Sequence, residues 1–433
     1  MLIEFTVTNF RSIRSPQTLS MVASKALKKS GLENNAFEAG VGEDGLPRLL
    51  RSAVVYGPNA AGKSTLVGAL SFMRKWVNTS AQKAQVGEAI KDVQPFRLSA
   101  ASRKQDSEFE IHFIEEGIRY QYGFSLNTER ITSEWLIAYP LGKPQRWFER
   151  AFNAITQKDE YEFISPSFLG GKKLHKDRAS LTIGNALYLS VAVQKGNEQL
   201  RPVFSWFQNR LRIVSAMDHI GSGFTQRMCE KPEDKKRVLE FMSSADISFH
   251  DIAIEKREFS TDDLPSDMPA VVKDELLKEF NGKTRREAKF LHRDVDTGNL
   301  VVFDKDDESE GTLSLFAFAG PWLDVLKNDY VLVVDEIDTS LHPLVVHHLV
   351  RLLNSHKGRA QLVFTTHDTT LLSQRILRPD QIWFVEKDKG DSTNLYSLAD
   401  FSPRENEAIE KGYLNGRYGA IPFLSKLDFY GQG

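Results

Sequence analysis

The sequence predicts an α/β protein: a mainly parallel sheet with an antiparallel β lobe and a short helical insertion. Three patterns predict it. Unbroken apolar runs at Ser52–Tyr56, Val331–Val334 and Leu362–Phe364 have the character of parallel strands buried on both faces. Residues at helical spacing follow the first two: Leu66, Ala69, Leu70, Met73 and Val77, then Val345, Leu349 and Leu352. From Glu108 the period changes to two, with Phe109, Ile111 and Phe113 alternating with polar neighbours.

Taken in order, Leu2, Ile3, Phe5 and Val7 form a first strand that runs into Asn9-Phe10-Arg11-Ser12. A polar, glycine-containing stretch with Lys25, Lys28 and Lys29 reads as a loop-rich insertion. After the first buried strand and its helix, Tyr120, Tyr122 and Phe124 resume the alternation beyond a turn at Glu115–Gly117, and Trp135, Ile137 and Tyr139 continue it. Leu187–Val193 reads as another apolar strand, ending at Gln194. Residues 197–290 read mainly as helices, marked by Val238, Leu239 and Met242 and by Val271, Val272, Leu276, Leu277 and Phe280. Alternation returns over Phe290–Phe303 with a hairpin turn at Asp296–Asn299, and a helix starts near Thr312. The expected division is an N-terminal lobe over 1–200, a helical insertion over 201–290 and a C-terminal lobe over 291–433.

Composition bounds the class. With 433 residues, 41% hydrophobic and 26% charged, the chain reads as an ordinary globular protein, and its net charge of −2 supplies no overall basic field for nucleic acid. The lone Cys229 excludes an intrachain disulfide framework and suits a reducing cytoplasm. The longest uncharged apolar stretch, Thr312–Leu323, is shorter than the about 20 residues a bilayer span needs, so no membrane segment is expected. Glu4 and the alternation around it are unlike a signal peptide.

The strongest chemical signal is GPNAAGKST, Gly57–Thr65, lying between a buried strand and an amphipathic helix. Glycines let successive N–H groups curl toward one anion, and the helix aims its positive end at the same point. Gly57, Asn59, Gly62, Lys63, Ser64 and Thr65 are therefore candidate contacts to ATP, with Lys63 on the β- and γ-phosphates and Ser64 on Mg²⁺. The run VLVVDEID ends a second buried strand in Asp335, a candidate for the Mg²⁺ shell, and Glu336, which would orient or deprotonate the attacking water. More than half of the chain separates these two signals, so inserted lobes must lie between the halves of one site. ESEGT, Glu308–Thr312, puts a hydroxyl and a glycine at a helix start, which suits either an anion or a plain N-cap on Ser309.

SEGT before a strand ending in Asp-Glu resembles the signature motif of ABC and SMC ATPases. The resemblance implies a P-loop NTPase of the ABC/SMC head type, in which Ser309 and Gly311 would bind the γ-phosphate held by a second copy. Asn9–Ser12 is similar to the motif after the first strand of SMC-type heads, which places Arg11 on nucleotide phosphates. Gln194 resembles the Q-loop glutamine that reaches Mg²⁺ and the water, with Gln94 as a competitor. Thr339, Ser340, Leu341 and His342 stand where the D-loop would, with His342 in place of its usual Asp, and His367 in VFTTHD resembles the switch histidine. MLIEFTVTNFRSI, DEIDTSLHP and YLNGRYGAIPFL are similar to AAA-class ATPases of bacterial anti-phage systems such as PARIS, Septu and AbiL. The resemblance implies an ATPase that pairs head to head, with higher homo-oligomers open to it, and controls a separate effector such as a TOPRIM or HNH nuclease. A DNA-repair or DNA-tethering head of the SMC/RecF kind is the alternative. Local basic clusters, Lys172, Lys173, Lys176 and Arg178, and Lys283, Arg285, Arg286 and Lys289, admit nucleic acid without indicating it. His342, His347 and His348 lack acidic or Cys partners at metal-ligand spacing, and Val385–Asp391 resembles a TOPRIM opening with too little chain after it to complete that fold.

Overall fold

The computed structural model describes all residues except 28–31, 41–47, 216–220, 259–267, 281–283, 340, 405–406 and 423–433. Lys28, Lys29, Lys283, Ser340, Phe423 and Leu424 of the sequence analysis lie outside the described residues. The chain divides into two compact units: Met1–Met217 with Asn328–Thr339 and Leu349–Gly433, and Asp218–Lys327 with Ser340–His348.

The first unit is built on a six-stranded sheet. Its strands are β1 (Ser52–Tyr56), β2 (Leu211–Val214), β3 (Val331–Val334), β4 (Gln361–Thr365), β5 (Ile382–Lys387) and β6 (Thr393–Ser397). Their order is β2-β3-β4-β1-β5-β6, parallel except for β6. β1 and β4 are buried at every residue, as expected of strands covered on both faces. This order brings the carboxyl ends of β1, β3 and β4 side by side, where open α/β sheets bind their ligands.

A seven-stranded antiparallel sheet forms the β lobe, with Leu2–Thr8 and Ser107–Glu115 paired near one side. Gln361 ties that lobe to β4: its amide donates to the carbonyls of Leu2 (3.0 Å) and Leu50 (3.1 Å), and its oxygen accepts from the Leu2 N–H (2.6 Å). Phe109, Ile111, Phe113, Tyr120, Tyr122 and Phe124 are buried as their alternation predicts. Trp135, Ile137 and Tyr139 are not the inward set of the next strand, however. Leu136 and Ala138 are inward, and so is the charged Glu134. Trp135 lies instead over Gly123, where a Cβ would sit 2.3 Å from the indole, and its Nε1 donates to Glu110 (2.9 Å).

The buried Glu134 also explains a second departure. Leu187–Val193 is not a strand; Tyr188–Gln194 is a short helix. Glu134 accepts from the N–H groups of Tyr188 (2.6 Å) and Leu189 (2.9 Å), and the Ser80 hydroxyl accepts from that of Leu187 (3.2 Å). A carboxylate at the helix start satisfies free N–H groups and suits the helix dipole. Five of the seven helical residues are buried, so an all-round apolar run leaves no periodicity to separate helix from strand.

In the second unit, the expected helices appear as Pro232–Ser244 and Ala270–Phe280. The segment is not purely helical. Asp251–Glu258 pairs antiparallel with Thr284–Arg293, which in turn pairs with Leu300–Phe303. The first of these strands buries only Ile252; cross-strand and neighbouring ion pairs hold its charged end, including Lys256–Glu230 (2.8 Å) and Arg257–Glu287 (3.5 Å). A strand stabilised by charge pairing carries little hydrophobic alternation.

Candidate nucleotide site

Gly57–Thr65 leaves β1 at its carboxyl end and enters helix α1 (Lys63–Lys83), whose Leu66, Ala69, Leu70, Met73 and Val77 are buried. Gly62 has φ +118°, a conformation L side chains avoid, and a Cβ there would lie 2.3 Å from Thr393 Oγ1. A Cβ on Gly57 would lie 2.3 Å from the Val385 carbonyl oxygen. The hairpin of β5 and β6 thus presses directly on both glycines of the loop. Thr393 Oγ1 donates toward the Ala61 carbonyl (2.8 Å) and lies 2.9 Å from Ser12 Oγ, whose own contact to Thr65 Oγ1 is 3.0 Å.

Lys63 is buried, and its Nζ donates to the carbonyls of Gly57 (2.8 Å) and Pro58 (3.3 Å). Burial pulls its pKa below the usual lysine value, while Glu336, Asp335 and Asp338 act to keep it charged. A cation held by loop carbonyls beside three acids is ready to exchange those partners for phosphate oxygens.

β3 ends in Asp335, which is buried, followed by Glu336 in a left-handed conformation with φ +53°. Thr365, the last residue of β4, joins them. Its Oγ1 donates to Asp335 Oδ1 (2.6 Å) and accepts from the Glu336 N–H (2.7 Å). Thr339 Oγ1 donates to the Glu336 carbonyl (2.9 Å). His367 is exposed just beyond β4, and its N–H donates to Asp338 Oδ2 (3.2 Å).

Two open clefts meet here. One, of about 190 Å³, is lined by Ser12, residues 58–65, Glu336 and His367. The other, of about 670 Å³, is lined by Arg11, Ser64, Gly68, Ser71, Lys75, Asp92, Asp335 and Glu336 among others. Ser64 and Glu336 belong to both. Arg11 has φ +51°, and its N–H donates to the Gln94 carbonyl (2.6 Å). Gly68 of α1 leaves room for its guanidinium, since a Cβ would be 3.0 Å from Nη1. Asn9 of the same motif anchors the lobe, donating to the carbonyls of Ser102 and Gln105 (both 2.9 Å).

The structure therefore brings together Arg11, Asn59, Gly62, Lys63, Ser64, Thr65, Asp335, Glu336 and His367 along these clefts, directly above Gly57. It does not bring Gln194 there: that residue ends a helix rather than a strand, is exposed and lines neither cleft, and nor does Gln94. Ser309 and Gly311 belong to the second unit and are exposed. Ser309 Oγ accepts from the Thr312 N–H (3.1 Å) and caps helix Glu310–Asn328. His342 Nδ1 accepts from the Leu344 N–H (3.2 Å), a local cap on the helix Pro343–Ser355. Sequence reasoning missed Thr365 and Thr393. Thr365 stands beside the noted His367, but nothing local marks Thr393.

The residues fit a nucleotide with Mg²⁺. The loop's curvature depends on Gly62 lacking a Cβ, and Ser64 and Asp335 offer hard oxygen donors. Among the described residues, no group of three His, Cys, Asp or Glu side chains could hold a metal by itself, so a cation here would draw on phosphate and water for its remaining ligands.

A profile of the family described as "AAA domain, putative AbiEii toxin, Type IV TA system" matches residues 52–373, from the first residue of β1 to just past His367. The chain belongs to this AAA-domain family. Within the AAA domain fall the phosphate loop, the Ser309 segment, the acidic pair and His367. The fold is that of an α/β P-loop NTPase with an added antiparallel lobe. Solved structures similar to the chain include the SMC head domain from Thermotoga maritima, 16% identical, covering 92% of this chain and 98% of that one, with a TM-score of 0.39. A second is an Smc head domain with an extended coiled coil bound to the C-terminal domain of ScpA derived from Pyrococcus furiosus: 12% identity, coverage of 93% and 97%, TM-score 0.40. No curated protein sequence matches. No helix among the described residues is long and apolar enough to cross a membrane.

Proposed function

We propose that this chain binds ATP with Mg²⁺, pairs head to head with a second copy around two nucleotides, and hydrolyses them to control a separate effector in anti-phage defence. The observation carrying the catalytic part is the meeting of Lys63, Ser64, Asp335, Glu336 and His367 on two joined clefts at the carboxyl edge of one parallel sheet. In this reading Lys63 trades its two carbonyl partners for phosphate oxygens, while the loop N–H groups and the start of α1 receive the same charge. Ser64 and Asp335 hold the metal, which when bound neutralises phosphate charge. Glu336 orients the attacking water and takes its proton, and His367 donates a hydrogen bond to the terminal phosphate. Arg11 adds a second cation from the first-strand motif. Exposure of Ser309 and Gly311 suits contact with the nucleotide of a second copy.

Glu336→Gln tests this. The amide is nearly isosteric but cannot accept a proton, so hydrolysis should fall by about 10²-fold or more while ATP binding persists. ATP should then hold a dimer visible in native mass measurement. Wild-type turnover by this variant would reduce Glu336 to a structural acid. Membership of a family described as an AbiEii-type toxin system supports a defence role, and the effector part makes its own prediction: expression of this chain alone leaves growth unimpaired. Growth arrest by the chain alone would transfer the toxic activity to it.

A further inference from the structure

From the bonds at the end of β4 we infer that Thr365 is a positioning residue for hydrolysis, coupling the metal-side carboxylate to the water-side carboxylate. The inference rests on the ATPase reading above.

Thr365 is fully buried, and its hydroxyl has one proton. The Asp335 carboxylate can only accept, so that proton goes to its Oδ1 (2.6 Å), and the Glu336 N–H can only donate, so it gives its hydrogen to Oγ1 (2.7 Å). The direction of the chain of bonds is therefore fixed: Glu336 amide to Thr365 to Asp335. Two consequences follow. Asp335 has one oxygen occupied, so its carboxylate plane is set and its second oxygen is left for a cation. Glu336 is held where a parallel ladder cannot hold it. The β3–β4 ladder ends at Val334 and Phe364, and two residues later, at Glu336, the backbone turns to φ +53°. A side chain that adopts such a backbone costs energy, and it persists where surrounding bonds compel it. Here the Thr365 hydroxyl replaces the ladder, and the Thr365 carbonyl accepts the next free donor, the Ile337 N–H (3.1 Å). A single residue thus sets the backbone that aims Glu336 and the plane that aims Asp335.

The test compares Thr365→Val with Thr365→Ser in the full-length protein. Valine keeps the shape and removes the hydroxyl; serine keeps the hydroxyl. Valine should lower kcat about ten- to a hundredfold, as loss of an outer partner of a metal ligand commonly does, and serine should recover most of the rate. Binding of a fluorescent ATP analogue in EDTA should stay at the wild-type value for both. Mn²⁺ bound with a non-hydrolysable ATP analogue should give a broadened EPR spectrum in the valine variant, and the Glu336 amide should exchange its hydrogen faster. A valine variant with wild-type kcat, Mn²⁺ spectrum and amide exchange overturns the inference. Should the valine variant not fold, Thr365→Ala and Thr365→Ser, both short of the methyl, differ only in the hydroxyl; equal rates for these two overturn it. Glu336→Gln run alongside separates the two failures. If it turns over normally, the reading of the site falls; if it is slow while Thr365→Val is fast, only the role of Thr365 falls.

Discussion

Gly62→Ala should damage the phosphate loop through a residue far away in sequence. The added methyl carbon would lie 2.3 Å from Thr393 Oγ1 and 2.7 Å from its Cγ2, well inside contact distance. The backbone also sits at φ +118°, which costs an alanine about 1–3 kcal/mol. Moving the Thr393 hydroxyl aside breaks its bonds to the Ala61 carbonyl and Ser12, each worth about 1 kcal/mol. The single variant should therefore lose about 3–5 kcal/mol, a large part of the about 5–15 kcal/mol by which domains are stable. The double variant with Thr393→Ala separates the causes. Removing Oγ1 and Cγ2 relieves the clash but leaves the backbone strain, so the pair should cost less than the sum by about 1–2 kcal/mol. Urea unfolding of the four proteins, followed by tryptophan fluorescence, reads the cycle, and titration with a fluorescent ATP analogue reads the loop. Additivity within about 0.5 kcal/mol, or an alanine variant as stable as wild type, would refute the account of why glycine is needed here.

Other outcomes follow from the same site. Lys63→Met should abolish ATP-analogue binding without destabilising the nucleotide-free protein. Lys63 has a folded pKa below its unfolded value of 10.5, so between the two the unfolded chain binds more protons and stability rises with pH. The methionine variant should lose that rise, and unfolding curves below pH 10.5 that keep it would show that another group is responsible. Ser309→Arg should leave ATP binding intact and weaken ATP-dependent pairing. Loss of two charge-assisted bonds, about 3 kcal/mol, is roughly a hundredfold in the closure equilibrium. Dimers mixed from Lys63→Ala and Ser309→Arg chains restore one intact composite site and should regain hydrolysis where the sites fire independently; a Ser309→Arg protein that pairs and turns over normally would leave Ser309 as only the helix cap it also is.

Legibility in the sequence followed the range of the interactions. The phosphate loop was readable because its glycines, lysine and serine act within nine consecutive residues, flanked by a buried strand and an amphipathic helix. The acidic pair was readable because a strand both buries and aims it. Thr393 and Thr365 were not, because each matters through partners hundreds or tens of positions away, and a threonine near a strand end carries no signal of what lies opposite. Tyr188–Gln194 was misread because burial on all sides erases the helical period, and its decisive cap comes from Glu134, itself a charge on an inward face. The inward set of the strand bearing Trp135 was misread for a related reason: Trp135 found an outward partner in Glu110 over Gly123, and hydrophobicity alone assigned it to the core. Charge pairing concealed Asp251–Glu258 in the opposite way, with a strand that has almost no buried side to show.

The order of strands in the central sheet also sets a schedule for synthesis. β1 carries the phosphate loop and is made early, yet its two neighbours, β4 and β5, are residues 361–365 and 382–387. Until those residues leave the ribosome, Ser52–Tyr56 is an apolar run with both edges unpaired, and Thr393 is not yet present to seat Gly62. A nascent chain therefore exposes this apolar strand for most of its elongation, and pairing over so long a separation is slow to close. In the ATPase reading proposed above, the loop glycines meet Val385 and Thr393 only once the β5–β6 hairpin has been made, so ATP would favour only molecules whose translation has reached it.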